Sequence, residues 1–286
     1  MSEFPLPGMG RAVVAVPAPG AGPGYWAGAS SAAADGSGGF VVGYRVRNGH
    51  DGIDQTVVAR SPDGETFTTV AVLDQRRFGA QWMERPAVAR TPAGRWRLYV
   101  CCGTPESKHW WIEVLEADDP AGLETAEARP AFPGDERTAV KDPIVRLRDG
   151  RWHAWICCHP LDAPGAEDRM SSAYATSDDG WTWDWRGTVL TGRPGAWDAR
   201  GARLTTVLPD GRAAYDGRAS AEENWFERTG LAVASADGRF TQAEESPVVD
   251  VRYLDVLPLD DGGYRIWYEA RLPDESHELR TERIPG

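Results

Sequence analysis

A short apolar segment, a Gly-centred turn and an aromatic segment follow one another five times along this chain, which predicts an all-β fold, a five-bladed β-propeller with four-stranded blades. The repeats read ERPAVARTPAGRWRLYVCC from Glu84 and KDPIVRLRDGRWHAWICC from Lys141, with GGFVVGYRVR, PDGRAAYDGR and DGGYRIWYEA around Phe40, Ala213 and Tyr264. Aligned on Phe40, Trp96, Trp152, Ala213 and Tyr264, they recur every ~50 to 60 residues, the length of four strands plus their loops. Two further observations agree. Frequent Gly and Pro punctuate the chain and no stretch sustains helical periodicity, so many short strands joined by tight turns are expected. The repeats also run from end to end without a linker, so residues 1–286 read as one domain.

With the strands of each blade lettered A to D from the axis outward, the first blade takes residues 25–34, 39–47, 55–61 and 66–72. The second takes 85–91, 95–102, 110–117 and 124–132, and the third 142–148, 151–158, 171–177 and 182–190. The fourth follows with 202–208, 212–218, 230–236 and 240–246. The fifth has only 253–259, 264–271 and 277–284, so its outermost strand is missing. An open blade leaves unpaired backbone groups, and residues 10–17, GRAVVAVP, are a spare apolar strand. The N-terminal strand is therefore expected to close the last blade.

A formal net charge of −12 argues against a nucleic-acid partner, whose binding rests on clustered Lys and Arg. A neutral or cationic small partner, a glycoside or related polar metabolite, is expected instead. Neither a basic start followed by an apolar run nor a bilayer-length apolar stretch occurs, so no membrane association and a cytoplasmic location are expected. Cys101-Cys102 and Cys157-Cys158 stand at matching places on two B strands, where alternation sends one thiol of each pair to either face. Packing explains them better than metal or redox chemistry, because no C-x-x-C spacing is present.

Three turns have the form Ser-x-Asp-Gly followed by an aromatic: Ser61 to Phe67, Ser177 to Trp183 and Ser235 to Phe240. They look like the Asp-box turns of sialidases. Asp63, Asp179 and Asp237 are expected to cap turn N–H groups, with Gly supplying positive φ, rather than to act as catalytic acids. Strand polarity puts these C-to-D turns on one face of the ring. The long B-to-C loops emerge on the other, joined near the axis by the A-strand starts Trp82-Met-Glu84-Arg85, Lys141-Asp142-Pro143, Trp197-Asp198-Ala-Arg200 and Arg252-Tyr-Leu-Asp255. Carboxylates and indoles around a channel mouth suit sugar hydroxyls and ring faces.

The order of elements is similar to that of the five-bladed glycosidases of glycoside hydrolase families 43, 32 and 130, with Asp142-Pro143 opening the third blade and Trp82-Met-Glu-Arg-Pro86 the second. The run from Tyr215-Asp-Gly217 through Glu227-Arg-Thr-Gly-Leu-Ala232 into Ser235-Ala-Asp-Gly238 adds to the likeness. It covers nearly the whole chain as architecture, through short motifs. In those families three acidic groups around the axis act as base or nucleophile, as acid, and as transition-state support. The resemblance assigns the last to Asp142. Where the first blade would supply an aspartate the chain reads Tyr25-Trp-Ala-Gly-Ala29, and where the fourth would supply a glutamate it offers Asp198 and Arg200.

Glycoside cleavage needs one protonated and one ionised carboxyl. The expected catalytic set is Glu84 as acid, Asp142 as base or stabiliser and Asp198 as substitute partner; the alternative for Glu84 is an ion pair with Arg85 or Arg200 that orders the channel. Trp82, Trp197 and Trp225 are candidate sugar platforms, and Arg85, Arg200 and Arg228 candidate binders of a ligand carboxylate or phosphate. Glu227, Asp255 and His159 complete the expected substrate-binding set. No cofactor and no metal ligand are assigned, although a divalent metal at the mouth, held by His50, His109, His159 or His277 with Asp51, Asp54 or Asp168, is one alternative. The function expected is hydrolysis or phosphorolysis of a small glycoside. Other small-molecule chemistry (cyclisation, elimination or isomerisation) and non-catalytic carbohydrate binding are the competing classes.

Overall fold

The computed structural model describes residues 3–50 and 52–286, and their regular structure is strand throughout except for two short 3-10 turns, Gln75–Phe78 and Pro120–Glu124. After β1 (Val13–Val16), the first blade is built from β2 (Tyr25–Ala34), β3 (Phe40–Asn48), β4 (Gln55–Ser61) and β5 (Thr68–Asp74). The second has an inner strand in two halves, β6 (Trp82–Met83) and β7 (Ala87–Arg90), then β8 (Trp96–Gly103), β9 (Trp110–Ala117) and β10 (Ala128–Phe132). The third holds β11 (Thr138–Arg148), β12 (Arg151–Pro160), β13 (Ser171–Ser177) and β14 (Asp184–Thr191), and the fourth β15 (Gly201–Val207), β16 (Arg212–Arg218), β17 (Arg228–Ala234) and β18 (Phe240–Gln242). The fifth contains β19 (Arg252–Pro258), β20 (Tyr264–Arg271) and β21 (His277–Ile284). Five antiparallel blades result.

β1 is the fourth strand of the last blade. It runs antiparallel to β21 with Val13 opposite Thr281 and Val16 opposite Leu279. Just before it, the Gly8 and Gly10 N–H groups donate to the Glu282 carboxylate at 2.9 Å, and Tyr268 OH donates to the same group at 2.8 Å. The ring is also stitched at the mouth, where Trp26 of β2 and His277 of β21 form a single parallel pair between the first and last blades. Two expected outer strands are shorter than the sequence predicts: the one expected over 240–246 stops at Gln242 as β18, and the one expected over 124–132 starts late as β10. Residues 124–127 are not part of β10, because Asp119 caps a 3-10 turn that Pro120 opens and the chain turns there before pairing.

The apolar core lies between blades. Cys101 packs with Ile112, Val145 and Ala154 on one side of the second blade, and Cys102 with Val41, Val58 and Met83 on the other, as alternation along β8 requires. All four thiols are free and buried. The Asp-box turns also tie blades together. Asp63 accepts from the N–H groups of Glu65 and Thr66 at 2.8 and 2.7 Å, while Gly64 takes φ 79° and its carbonyl accepts from Trp267 Nε1 of the last blade at 3.1 Å. Asp179 accepts from Trp181 and Thr182 N–H in the same way, and the Gly180 carbonyl accepts from Tyr99 OH of the second blade at 2.8 Å.

Candidate active site

Each inner strand enters the axis through a break in its ladder. Register slips between Gly28 and Ser31, between Lys141 and Ile144 and between Arg252 and Asp255. At each slip one residue, Ala29, Asp142 or Tyr253, adopts φ 51°. A left-handed backbone at a non-glycine residue is uncommon, and here it turns the side chain out of the strand's alternation and toward the axis. In the second blade the longer gap between β6 and β7 holds Glu84 and Arg85. The same backbone device thus sets Asp142 and Tyr253 side by side.

The mouth of the channel opens into a cavity of about 550 Å³ on the face of the long loops. Its walls include Trp26, Trp82, Trp110 and Trp225, with Arg47, His50, Glu84, Lys108, Lys141, His159, Glu167 and Asp168 among the polar groups. These residues come from the starts of inner strands, the ends of B strands, the B-to-C loops and, for Trp110, the start of the C strand β9. The Asp-box residue Asp63 lines a separate hollow with Pro258 and Arg265.

Beneath the cavity floor lies a dense charge network. Glu84 is bonded by Arg45 and stands 3.5 Å from Arg47. Arg45 also donates to Glu269 at 2.6 Å, and Arg47 holds Asp54 through both Nε and Nη2. Asp142 accepts from Arg203 at 2.8 Å and from the Arg85 N–H at 3.1 Å, while Arg203 donates on to Asp216 at 2.7 Å. The Tyr253 hydroxyl sits between the two candidate carboxylates, 3.4 Å from Glu84 and 3.5 Å from Asp142, and receives Arg203 at 2.9 Å. Its ring lies against the Arg203, Arg252 and Arg45 guanidiniums at 4.0, 5.2 and 5.8 Å. Burial together with nearby carboxylates keeps this phenol protonated.

The charges decide what Glu84 can do. Burial alone would raise its pKa, but Arg45, then Lys141, Arg47 and Arg252, hold it well below the ordinary carboxylate value. Glu84 is therefore ionised at neutral pH and stores no proton, so the role of general acid does not suit it. Asp168 is likewise held low, by its bonds to Arg200 against some burial. His159 is driven the other way, its pKa lowered to about 3 by burial and then by Lys141, so it faces the cavity as a neutral ring. Its Nδ1 lies 2.9 Å from the Glu167 carbonyl.

Of the residues expected at the site, the structure brings Trp82, Glu84, Trp225 and His159 together on the cavity wall. Asp142 lies directly beneath them, fully buried. Asp198 does not join them: Arg193 Nε at 3.1 Å and the Tyr215 hydroxyl at 2.8 Å take up its carboxylate. Trp197 stacks on Tyr215 at 5.6 Å instead of facing the cavity, and Arg228 lies over it while pairing with Glu223. Arg85 is buried on the axis, donating to the Ser30 and Thr205 carbonyls at 2.9 and 2.8 Å, with Asp255 at 3.4 Å. Asp255 also receives Arg146, at 2.9 Å. Arg200 clamps Asp168, and Glu227 joins Arg218 at 2.5 Å to Arg252 at 2.9 Å. Glu84 pairs with Arg45 and Arg47, not with the Arg85 or Arg200 weighed from sequence.

Sequence reasoning missed Arg45, Arg47, Lys141 and Trp26 as site residues. The spacing of Arg45 and Arg47, two apart on β3, was the available signal, since alternation places both on one face. Nor do the candidate metal ligands converge. His277 is tied to Glu269 at 2.6 Å and His109 to Thr104 at 2.8 Å, and among the described residues no three His, Cys, Asp or Glu groups gather as a metal site. Asp51 lies outside the described residues.

The fold is that of the five-bladed propeller glycosidases. Over 99% of this chain and 93% of its own, a β-1,2-mannobiose phosphorylase from Listeria innocua superposes with a TM-score of 0.64 at 14% identity. A member of the glycoside hydrolase family 130 group of mannoside phosphorylases and hydrolases, described as targeting β-1,2 mannosidic linkages in Candida mannan, gives 0.62 at 15% identity over 98% and 95% of the two chains. Sucrose-6-phosphate hydrolase from Lactobacillus gasseri gives 0.66 at 12% identity, covering 98% of this chain and 62% of that one. No protein-family model matches the chain, and no curated protein sequence does either. The similarity to glycoside hydrolases and phosphorylases is thus structural and distant.

Proposed function

We propose that the protein binds a small glycoside in the channel-mouth cavity and cleaves its glycosidic bond by hydrolysis or phosphorolysis, with Glu84 as the ionised carboxylate facing the sugar and the attacking water or phosphate supplying the proton that the leaving oxygen takes up. The observation that carries this reading is the placement of a buried, ionised carboxylate on a wall that also carries four indoles. Indole faces stack against the C–H face of a pyranose, and a fixed anion stabilises the positive charge that develops at the anomeric carbon. Asp142 acts one layer down. It holds Arg203 and, with Tyr253, sets the orientation of the Glu84 carboxylate.

The test is a panel of nitrophenyl glycosides and disaccharides, with and without inorganic phosphate, following product release and tryptophan fluorescence together. Glu84→Gln should cut turnover by about two to four orders of magnitude while ligand still quenches fluorescence. Asp142→Asn should lower both turnover and melting temperature. Quenching by glycosides with no turnover in the unaltered protein would favour non-catalytic carbohydrate binding, a reading that gains from the engagement of both Glu84 and Asp168 by guanidinium groups. A protein that neither cleaves nor binds any glycoside would refute both.

A further inference from the structure

The cations at the axis are paired with one exception. Arg45 has Glu269 at 2.6 Å, Arg47 has Asp54 at 2.8 Å, Arg203 has Asp142 at 2.8 Å and Arg218 has Glu227 at 2.5 Å. Lys141 is different. Among the described residues its nearest carboxylate oxygen is Asp142 Oδ2, 3.9 Å away, and that oxygen already receives Arg203. The Lys141 side chain is only 14% exposed, yet its ammonium lines the cavity, 5.0 Å above the Trp110 ring that forms the adjacent wall. An ammonium with three donors and no carboxylate within hydrogen-bond distance leaves those donors turned to the cavity, where a ligand would lie.

We propose that Lys141 recognises a ring carboxylate, so that the ligand is a glycoside of a uronic acid, stacked on Trp110 with its carboxylate on the ammonium. This rests on the glycoside reading above and narrows it to a substrate class. Charge selects carboxylate over phosphate. A monoanion matches the single under-paired ammonium, whereas a phosphate dianion would bring a second negative charge beside Glu84 and Asp142, where Arg47 is already taken up by Asp54. Lys108, also on the wall, is an exposed rim residue that can help attract the anion but cannot fix its position.

The experiment measures binding of the methyl glycosides of glucuronic, galacturonic and mannuronic acid by calorimetry, against the matching neutral hexosides, the hexose 6-phosphates and inorganic phosphate. The expected result is one uronoside bound roughly tenfold or more tighter than its neutral counterpart, as suits a charged hydrogen bond. Lys141→Met should erase that difference, and Lys141→Arg should keep part of it. Melting curves of both variants separate loss of recognition from loss of fold, because a purely structural lysine would leave the uronoside preference intact in whatever remains folded. Equal binding of neutral and acidic glycosides overturns the inference and leaves the glycoside reading standing. Preference for a 6-phosphate or for inorganic phosphate overturns the choice of carboxylate. Binding of no sugar at all overturns both readings.

Discussion

Removing the chain through Pro17 should cost the protein most of its stability, even though β1 is a short, half-exposed strand. Three contributions are lost. The ladder from β1 to β21, three residue pairs with a register shift between Val14 and Val16, is worth about 1 kcal/mol per hydrogen bond. Phe4 is 6% exposed and packs with Leu208, Leu254 and Ile266 in the core beside the last blade, so losing its side chain costs roughly 3–5 kcal/mol. Glu282, 1% exposed, loses the Gly8 and Gly10 donors and keeps Tyr268, adding about 1–3 kcal/mol for a buried carboxylate left short of partners. Together these approach or exceed 6 kcal/mol, against total stabilities of about 5–15 kcal/mol. At ~2–4 °C per kcal/mol the melting temperature should fall by more than about 10 °C. Thermal unfolding followed by circular dichroism measures this directly, with Phe4→Ala and Glu282→Gln giving intermediate losses. A truncated protein melting within about 3 °C of the full chain would show that the last blade stands without its N-terminal strand.

Glu84 titrates below the unfolded carboxylate value of ~4.3, so its stabilisation is present above that pH and lost as pH falls through its folded value. Glu84→Gln should therefore lower the melting temperature at pH 7 and flatten its decline between about pH 5 and 2; parallel curves for the two proteins would contradict the ion-pair account. Burial pushes the Cys158 thiol up to about 12 and the Cys101 thiol well above its usual value, so a thiol reagent at pH 8 should label none of the four cysteines until the protein unfolds. Asp179→Ala should cost about 1 kcal/mol through its lost turn bonds and leave ligand affinity unchanged, which paired melting and binding measurements would check. Trp225, 40% exposed on the cavity wall, should on replacement by Ala weaken glycoside binding roughly tenfold with little change in melting temperature.

The blades were legible because each repeat carries its own local signals: period-2 alternation, a Gly turn and aromatic residues. The closing strand was legible as a deficit, since three strands in the last blade demanded a fourth. The late start of β10 was not, because Asp119-Pro120 specifies a turn inside a stretch that otherwise reads as strand. At the site, Glu84 was placed by strand polarity alone. Its partner Arg45 lies 39 positions earlier on another blade, and no local pattern links the two. Asp198 failed as a candidate for the opposite reason. Arg193, five residues before it, and Tyr215 on β16 claim its carboxylate before any ligand could. The missing acid of the first blade has a structural counterpart in Ala29, whose backbone keeps the φ of Asp142 without its carboxylate.

Closure of the last blade by β1 also sets an order in time. Gly8 and its partner Glu282 are 274 positions apart. At ~5–20 residues per second of synthesis, the first strand waits roughly 14–55 s for the strand that will receive it. Throughout that interval the apolar segment Val13–Val16 has no ladder to join, and the first blade lacks the neighbour whose Trp267 docks on Gly64. The ring therefore cannot finish blade by blade behind the ribosome. Pairing of β1 with β21 can come only after Ile284 has emerged.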